Sequence, residues 1–177
     1  MTRAFTALAF TPSVRAAQLR HGSRERMEKL AAREPDRATL PEEMQERLRR
    51  ANSIIVGTAS LEGWPHIQHR GGPPGFIKVL APDELVFGDY RGNRQYITVG
   101  NLAENSRMFL LLMDYAAGTR LKIWGRGTVV EDDPALLERV RDPDYPAAVE
   151  RVIRMHVEAW DTNCDSHIPK LVPAEAA

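Results

Sequence analysis

The sequence predicts a mainly β fold with flanking helices, its strands curling into a closed or nearly closed barrel. Three observations carry this. From Ser53 onward, β-branched and apolar runs recur at short, even intervals. Turn residues separate them, as in Leu61-Glu62-Gly63-Trp64 and Ala81-Pro82-Asp83. The stretch before Ser53 has another texture, rich in Arg, Glu and Ala at helical spacings.

In chain order, residues 13–34 place Val14, Ala17, Met27, Leu30 and Ala31 at roughly helical intervals, with Gly22 as an interruption. Thr39-Leu40-Pro41-Glu42 has the spacing of a capping box with proline early in the helix. The helix it opens, over about 40–51, puts Met44, Leu48 and Ala51 on one face. Residues 1–51 are therefore expected to be helices packed on the outside of a barrel formed by residues 52–177. Ser53 to Ser60 reads as the first strand and Pro65 to Arg70 as the second. Gly75 to Leu80 and Glu84 to Asp89 read as a hairpin. A helix follows at about 95–104. Met108 to Asp114 is a continuous apolar run, which predicts a strand buried on both faces. Thr119 to Glu131 alternates and is long, and Pro134 to Val140 is a short helix. Val149 to Trp160 fits a helix or a strand by pattern.

A chain of 177 residues with 43% apolar content suits one domain with a packed core. Its 24 basic and 24 acidic side chains cancel, which argues against general attraction to nucleic acid or anionic membranes. No apolar run approaches the ~18 residues of a spanning helix. Met1 to Phe10 carries Arg3 and lacks a sustained apolar stretch, so a secretory signal is not expected. The single cysteine, Cys164, has no internal partner, and a reducing, cytoplasmic setting is the simplest expectation.

The richest chemistry lies in Gly88-Asp89-Tyr90-Arg91-Gly92-Asn93-Arg94-Gln95. A strand ends there and a helix begins. Helix-start N–H groups favour negative charge, and a guanidinium fork matches phosphate oxygens in pairs, so the turn suits a phosphate. It equally suits a solvated turn with two surface arginines. Upstream stand Gln68-His69-Arg70-Gly71-Gly72, where paired glycines allow close approach of a flat ligand or simply form a loop. Downstream stand Arg120-Leu121-Lys122 and the tail Trp160-Asp161-Thr162-Asn163-Cys164-Asp165-Ser166-His167. Cys164 and His167 are too sparse for a zinc site without other clustered ligands, and no metal is expected.

Taken in order over about residues 52–168, these segments resemble the pyridoxamine 5′-phosphate oxidase-like family of FMN-binding split barrels. The tail from Glu158 to Ile168 resembles that of one large branch of the family. The resemblance implies a split β-barrel, a strand at Val149 to Trp160, FMN as cofactor, and a homodimer with its site at a twofold interface. Asn93, Arg94 and Gln95 stand where true pyridoxamine oxidases carry Ser-Arg-Lys at the flavin phosphate. Gln95 thus replaces a lysine and lowers the positive charge. Asp89 joins this set at the end of its strand. Gln68, His69, Arg70 and Gly71 match the segment beside the flavin ring. Arg120 and Lys122 match a strand that reaches the flavin from the second subunit. Trp160 and His167 belong to a tail folded over the pocket. The arginine- and histidine-bearing tail that grips the substrate phosphate in true oxidases is missing. The implied activity is a flavin-dependent oxidoreductase acting on a small molecule, with a nicotinamide electron donor, and not on pyridoxamine phosphate. The alternatives are a flavin-storage protein and a deazaflavin-dependent reductase of the same fold. No catalytic acid or base stands out.

Overall fold

The computed structural model describes residues 5–33, 37–162, 167–169 and 171. Four helices come first: α1 Phe5–Ala9, α2 Pro12–Arg20, α3 Arg24–Arg33 and α4 Glu42–Arg50. The strands are β1 Ser53–Ala59, β2 Pro65–Gly71, β3 Ile77–Ala81, β4 Glu84–Tyr90, β5 Arg107–Asp114, β6 Thr119–Val130 and β7 Val149–Thr162. Two helices interrupt them, α5 Ile97–Glu104 and α6 Pro134–Val140. Among the described residues no helix is long and apolar enough to cross a membrane.

The seven strands form one antiparallel sheet in the order β2-β1-β5-β6-β7-β4-β3. Residues from opposite ends of that order share one core, including Ile54 and Val56 of β1, Ile77 of β3 and Phe87 of β4. Such sharing requires the sheet to curl, so its edges β2 and β3 approach without pairing. The result is a barrel split along one seam. Leu48 of α4, fully buried, enters this core beside Met44. Truncating a side chain of that kind to alanine costs about 2–5 kcal/mol. By contrast, α2 and α3 bury no side chain. Gly22 separates them at φ 70°, a left-handed turn that glycine adopts without a Cβ clash.

Four details differ from the sequence-based expectations. The capping box does not form: Pro41 is the N-cap of α4, without a side-chain bond, and its carbonyl accepts from Met44 and Gln45 N–H. The amide of Gln45 donates instead to the Leu40 carbonyl. Next, β5 is buried on one face only; Met108, Leu110 and Leu112 are buried, whereas Phe109, Leu111 and Met113 on the other face stay half-exposed. The sheet covers one side of that strand, and nothing in the protomer fully covers the other. The helix expected from about residue 95 begins at Ile97, because Tyr96 sits in the left-handed region at φ 55°. Finally, Gly72 does not make room for a ligand. A Cβ there would lie 2.7 Å from Cβ of Phe76, whose side chain fills the space.

β7 is a strand, as the resemblance implies where the pattern alone left helix and strand open, and it is the longest of the seven. It carries a bulge opposite β6: Trp124 pairs with Ala159, but Gly125 pairs with Val157, leaving Glu158 as the extra residue. Beyond the bulge Trp160 packs against the core, while Asp161 faces outward beside Lys122.

Candidate functional site

A cleft of about 180 Å³ opens where β2, the end of β4, the following turn, α5 and the start of β7 meet. The β4–β7 register sets Arg151 opposite Asp89. Asp89, only 5% exposed, accepts from Arg151 Nη1 at 2.8 Å and from Arg70 across the open seam. Burial works against the Arg151 cation, but Asp89 and Glu131 outweigh it and hold its pKa above the ordinary arginine value. Arg91 donates to Glu150 at 2.9 Å and holds that carboxylate below its usual range. These ion pairs fix the walls of the cleft.

Arg94 differs from its neighbours. Among the described residues it makes no ion pair, and its Nε donates to the Tyr96 hydroxyl at 3.3 Å. It sits at φ 62° in the exposed turn, and Asn93 Oδ1 accepts from the Gln95 N–H to brace that turn. Directly behind lies the start of α5. Its N-cap offers no side-chain acceptor and its first turn carries no acid, so its leading N–H groups remain uncapped. Ile97, Thr98 and Val99 of that first turn line the cleft.

Of the residues singled out from sequence, the structure gathers Gln68, Arg70, Asp89, Asn93, Arg94 and Gln95 around this cleft. It leaves the others elsewhere in the protomer. His69 alternates to the other face of β2, is exposed, and bonds Ser53 Oγ at 3.1 Å. Gly71 packs against His69 and the Asn52 carbonyl. Lys122, beside Arg120 on β6, pairs with Asp161 at 3.4 Å. Trp160 donates its indole N–H to the Thr39 carbonyl at 2.8 Å and lies 4.8 Å beneath the Arg37 guanidinium. His167 is exposed at φ 64°, and Asn163 to Ser166 lie outside the described residues. From Arg151 to Asp161 is ten residues along β7, roughly 30 Å at strand rise. One small molecule cannot touch both groups within a single protomer.

Sequence reasoning missed His66, Tyr90, Tyr96, Glu150 and Arg151, all of which line the cleft. Tyr96 follows the arginine turn directly and was within reach of a close reading. Arg151 was not, because only the β4–β7 register brings it to Asp89.

A flavin phosphate fits the donor set. A cation without an ion pair among the described residues and the uncapped helix start both border the cleft. The cleft, at about 180 Å³, is smaller than pockets that enclose such ligands, which run to roughly 300–1,000 Å³.

Comparison with known proteins agrees with this architecture. The sequence profile of the pyridoxamine 5′-phosphate oxidase family matches residues 40–164. Among solved structures, a candidate pyridoxamine 5′-phosphate oxidase from Lactobacillus delbrueckii superposes with a TM-score of 0.54 at 22% identity, covering 70% of this chain and 94% of that one. A protein related to general stress protein 26, of the pyridoxinephosphate oxidase family, from Clostridium acetobutylicum gives 0.52 at 17% identity over 69% and 86%. HupZ from Group A Streptococcus gives 0.54 at 15% identity over 70% and 93%. At these identities the likeness is one of fold. No curated protein matches the chain.

Proposed function

The chain belongs to the pyridoxamine 5′-phosphate oxidase family, and we propose that it binds FMN at the Arg94 cleft as a flavin-dependent oxidoreductase acting on a small molecule. The observation that carries this reading is Arg94, a guanidinium without a carboxylate partner among the described residues, set before an uncapped helix start. A phosphate dianion there meets charge-assisted donors of two kinds. The bound flavin would supply hydride chemistry. The chain's own part is to anchor the phosphate with Arg94 and the first turn of α5, to hold Arg70 and Arg151 in place through Asp89, and to line the cleft with Gln68, His66 and Ile97.

The reading includes a homodimer. The Lys122–Trp160 group lies too far along β7 to serve its own cleft, and the half-exposed Phe109, Leu111 and Met113 offer an apolar face for a second copy. A twofold axis would set the Lys122 end of one protomer beside the Arg94 cleft of the other and enlarge the cavity. Light scattering should give twice the chain mass with flavin bound; a monomer would remove Lys122 from the site.

Titration of the purified protein with FMN, followed by quenching of flavin fluorescence, tests the anchor. Arg94→Ala should weaken binding by roughly tenfold to a hundredfold, the worth of a hydrogen bond to a charged group. It should leave the melting temperature unchanged, because Arg94 is exposed. A wild-type protein with no affinity for FMN refutes the reading. With FMN bound, reduction by nicotinamide donors is expected, without turnover of pyridoxamine phosphate on the order of 1 per second.

A further inference from the structure

We propose that Tyr96 is a ligand contact of this cleft, donating its hydroxyl proton to an anionic oxygen of the bound molecule. The assignment deepens the phosphate-site reading and rests on it. Tyr96 stands at the N-cap position of α5 with φ 55°. A bulky aromatic residue in the left-handed region is an outlier that costs on the order of 1–3 kcal/mol. Arg94, two residues earlier, shares that conformation. Two such residues in one turn at a cleft rim aim their side chains at the cleft, and Tyr96 lines it while remaining 41% exposed.

The bonding of the hydroxyl decides its role. Arg94 Nε donates to it at 3.3 Å. The Arg151 guanidinium stands 4.9 Å from the centroid of the same ring. A guanidinium has donors only, whereas a phenol has one donor and accepting lone pairs. The Arg94 bond therefore occupies the accepting side of the oxygen, and the O–H remains to be donated outward. Arg94, Tyr96 and the first turn of α5 then present three kinds of donor to one anion. The bond from Arg94 holds the phenol below its ordinary pKa, which makes it a stronger donor.

Tyr96→Phe keeps the ring over Arg151 and deletes only the hydroxyl. Full-length wild type and variant are titrated with FMN, with riboflavin, which lacks the phosphate, and with inorganic phosphate. Loss of one charge-assisted bond predicts roughly tenfold weaker FMN and phosphate binding, with riboflavin unaffected. Equal FMN affinities, or an equal loss with riboflavin, overturn the Tyr96 assignment and leave the flavin reading standing. Phosphate binding that depends on Tyr96, without FMN binding, does the reverse. Wild type that takes neither ligand overturns both. A second measurement compares the ultraviolet phenol titrations of wild type and Tyr96→Phe: saturating phosphate should move to higher pH one component that is present in wild type and absent from the variant, since a neutral donor is favoured beside a dianion. The charged groups facing that phenol are Arg94 on its own turn and Glu150 and Arg151 on β7. An unmoved titration in phosphate-saturated protein overturns the assignment.

Discussion

The two ends of β7 repeat one device with different outcomes. At the start, buried Asp89 is clamped between Arg70 and Arg151; at the finish, buried Asp161 accepts from Arg37 at 2.9 Å and lies 3.4 Å from Lys122. What surrounds each carboxylate differs. Beside Asp89 stand a further cation without an ion pair among the described residues, an uncapped helix and an open cleft. Beside Asp161 stand aromatic rings: Arg37 covers Trp160, Lys122 lies over Trp124, and Phe5 of α1 stacks on Trp124 at 5.8 Å. One end is cationic and open, and the other is covered by aromatic rings. The paired charges themselves are weak evidence of stabilisation; their use is to hold neighbours in one arrangement.

The largest effect should separate the two carboxylates. Asp89→Ala leaves Arg151, with its side chain 12% exposed, short of its buried partner, and should destabilise by about 3–5 kcal/mol. Asp161→Ala frees Arg37 and Lys122, at 18% and 22%, which reach water more easily, and should cost about 1–3 kcal/mol. Urea unfolding of both variants measures the difference, and equal losses would break the contrast. A second test asks whether the ends serve one ligand in the dimer. Arg94→Ala and Lys122→Ala should each weaken flavin binding on their own. Refolded together they should recover it at roughly a quarter of sites, because half of randomly mixed dimers keep one intact pairing. No recovery would show that the Lys122 end has no share in the cleft. The smallest effect concerns the aromatic cover. Phe5→Ala should cost the ring-pair contribution of about 0.5–1.5 kcal/mol in a thermal melt, and alter Trp124 fluorescence, while leaving the Arg94 end untouched.

How far the sequence could be read follows from the range of each interaction. The hairpin β3–β4, the interruption at Gly22 and the helix from Pro134 were legible, because each is set by residues a few positions apart. The arginine turn was legible for the same reason. The left-handed Tyr96 was not, since no propensity predicts that conformation for an aromatic residue. Arg151 and Glu150 lie about sixty residues from the turn they complete, and only pairing across the sheet brings them there. His69 lies apart from the cleft because alternation along β2 turns it to the face opposite Gln68 and Arg70.

The bulge at Glu158 gives β7 a counting rule. Before it, odd-numbered residues such as Ile153, Met155 and Val157 point inward; after it, Trp160 does. The crossing is so tight that a Cβ on Gly125 would lie 2.2 Å from the His156 carbonyl oxygen. Deleting the extra residue would restore simple alternation and exchange the sides of Trp160 and Asp161, sending a carboxylate into the apolar interior. Insertions and deletions in this stretch are thus tolerable only in pairs, so that parity, more than chemical identity, constrains how the far end of the strand can drift over generations.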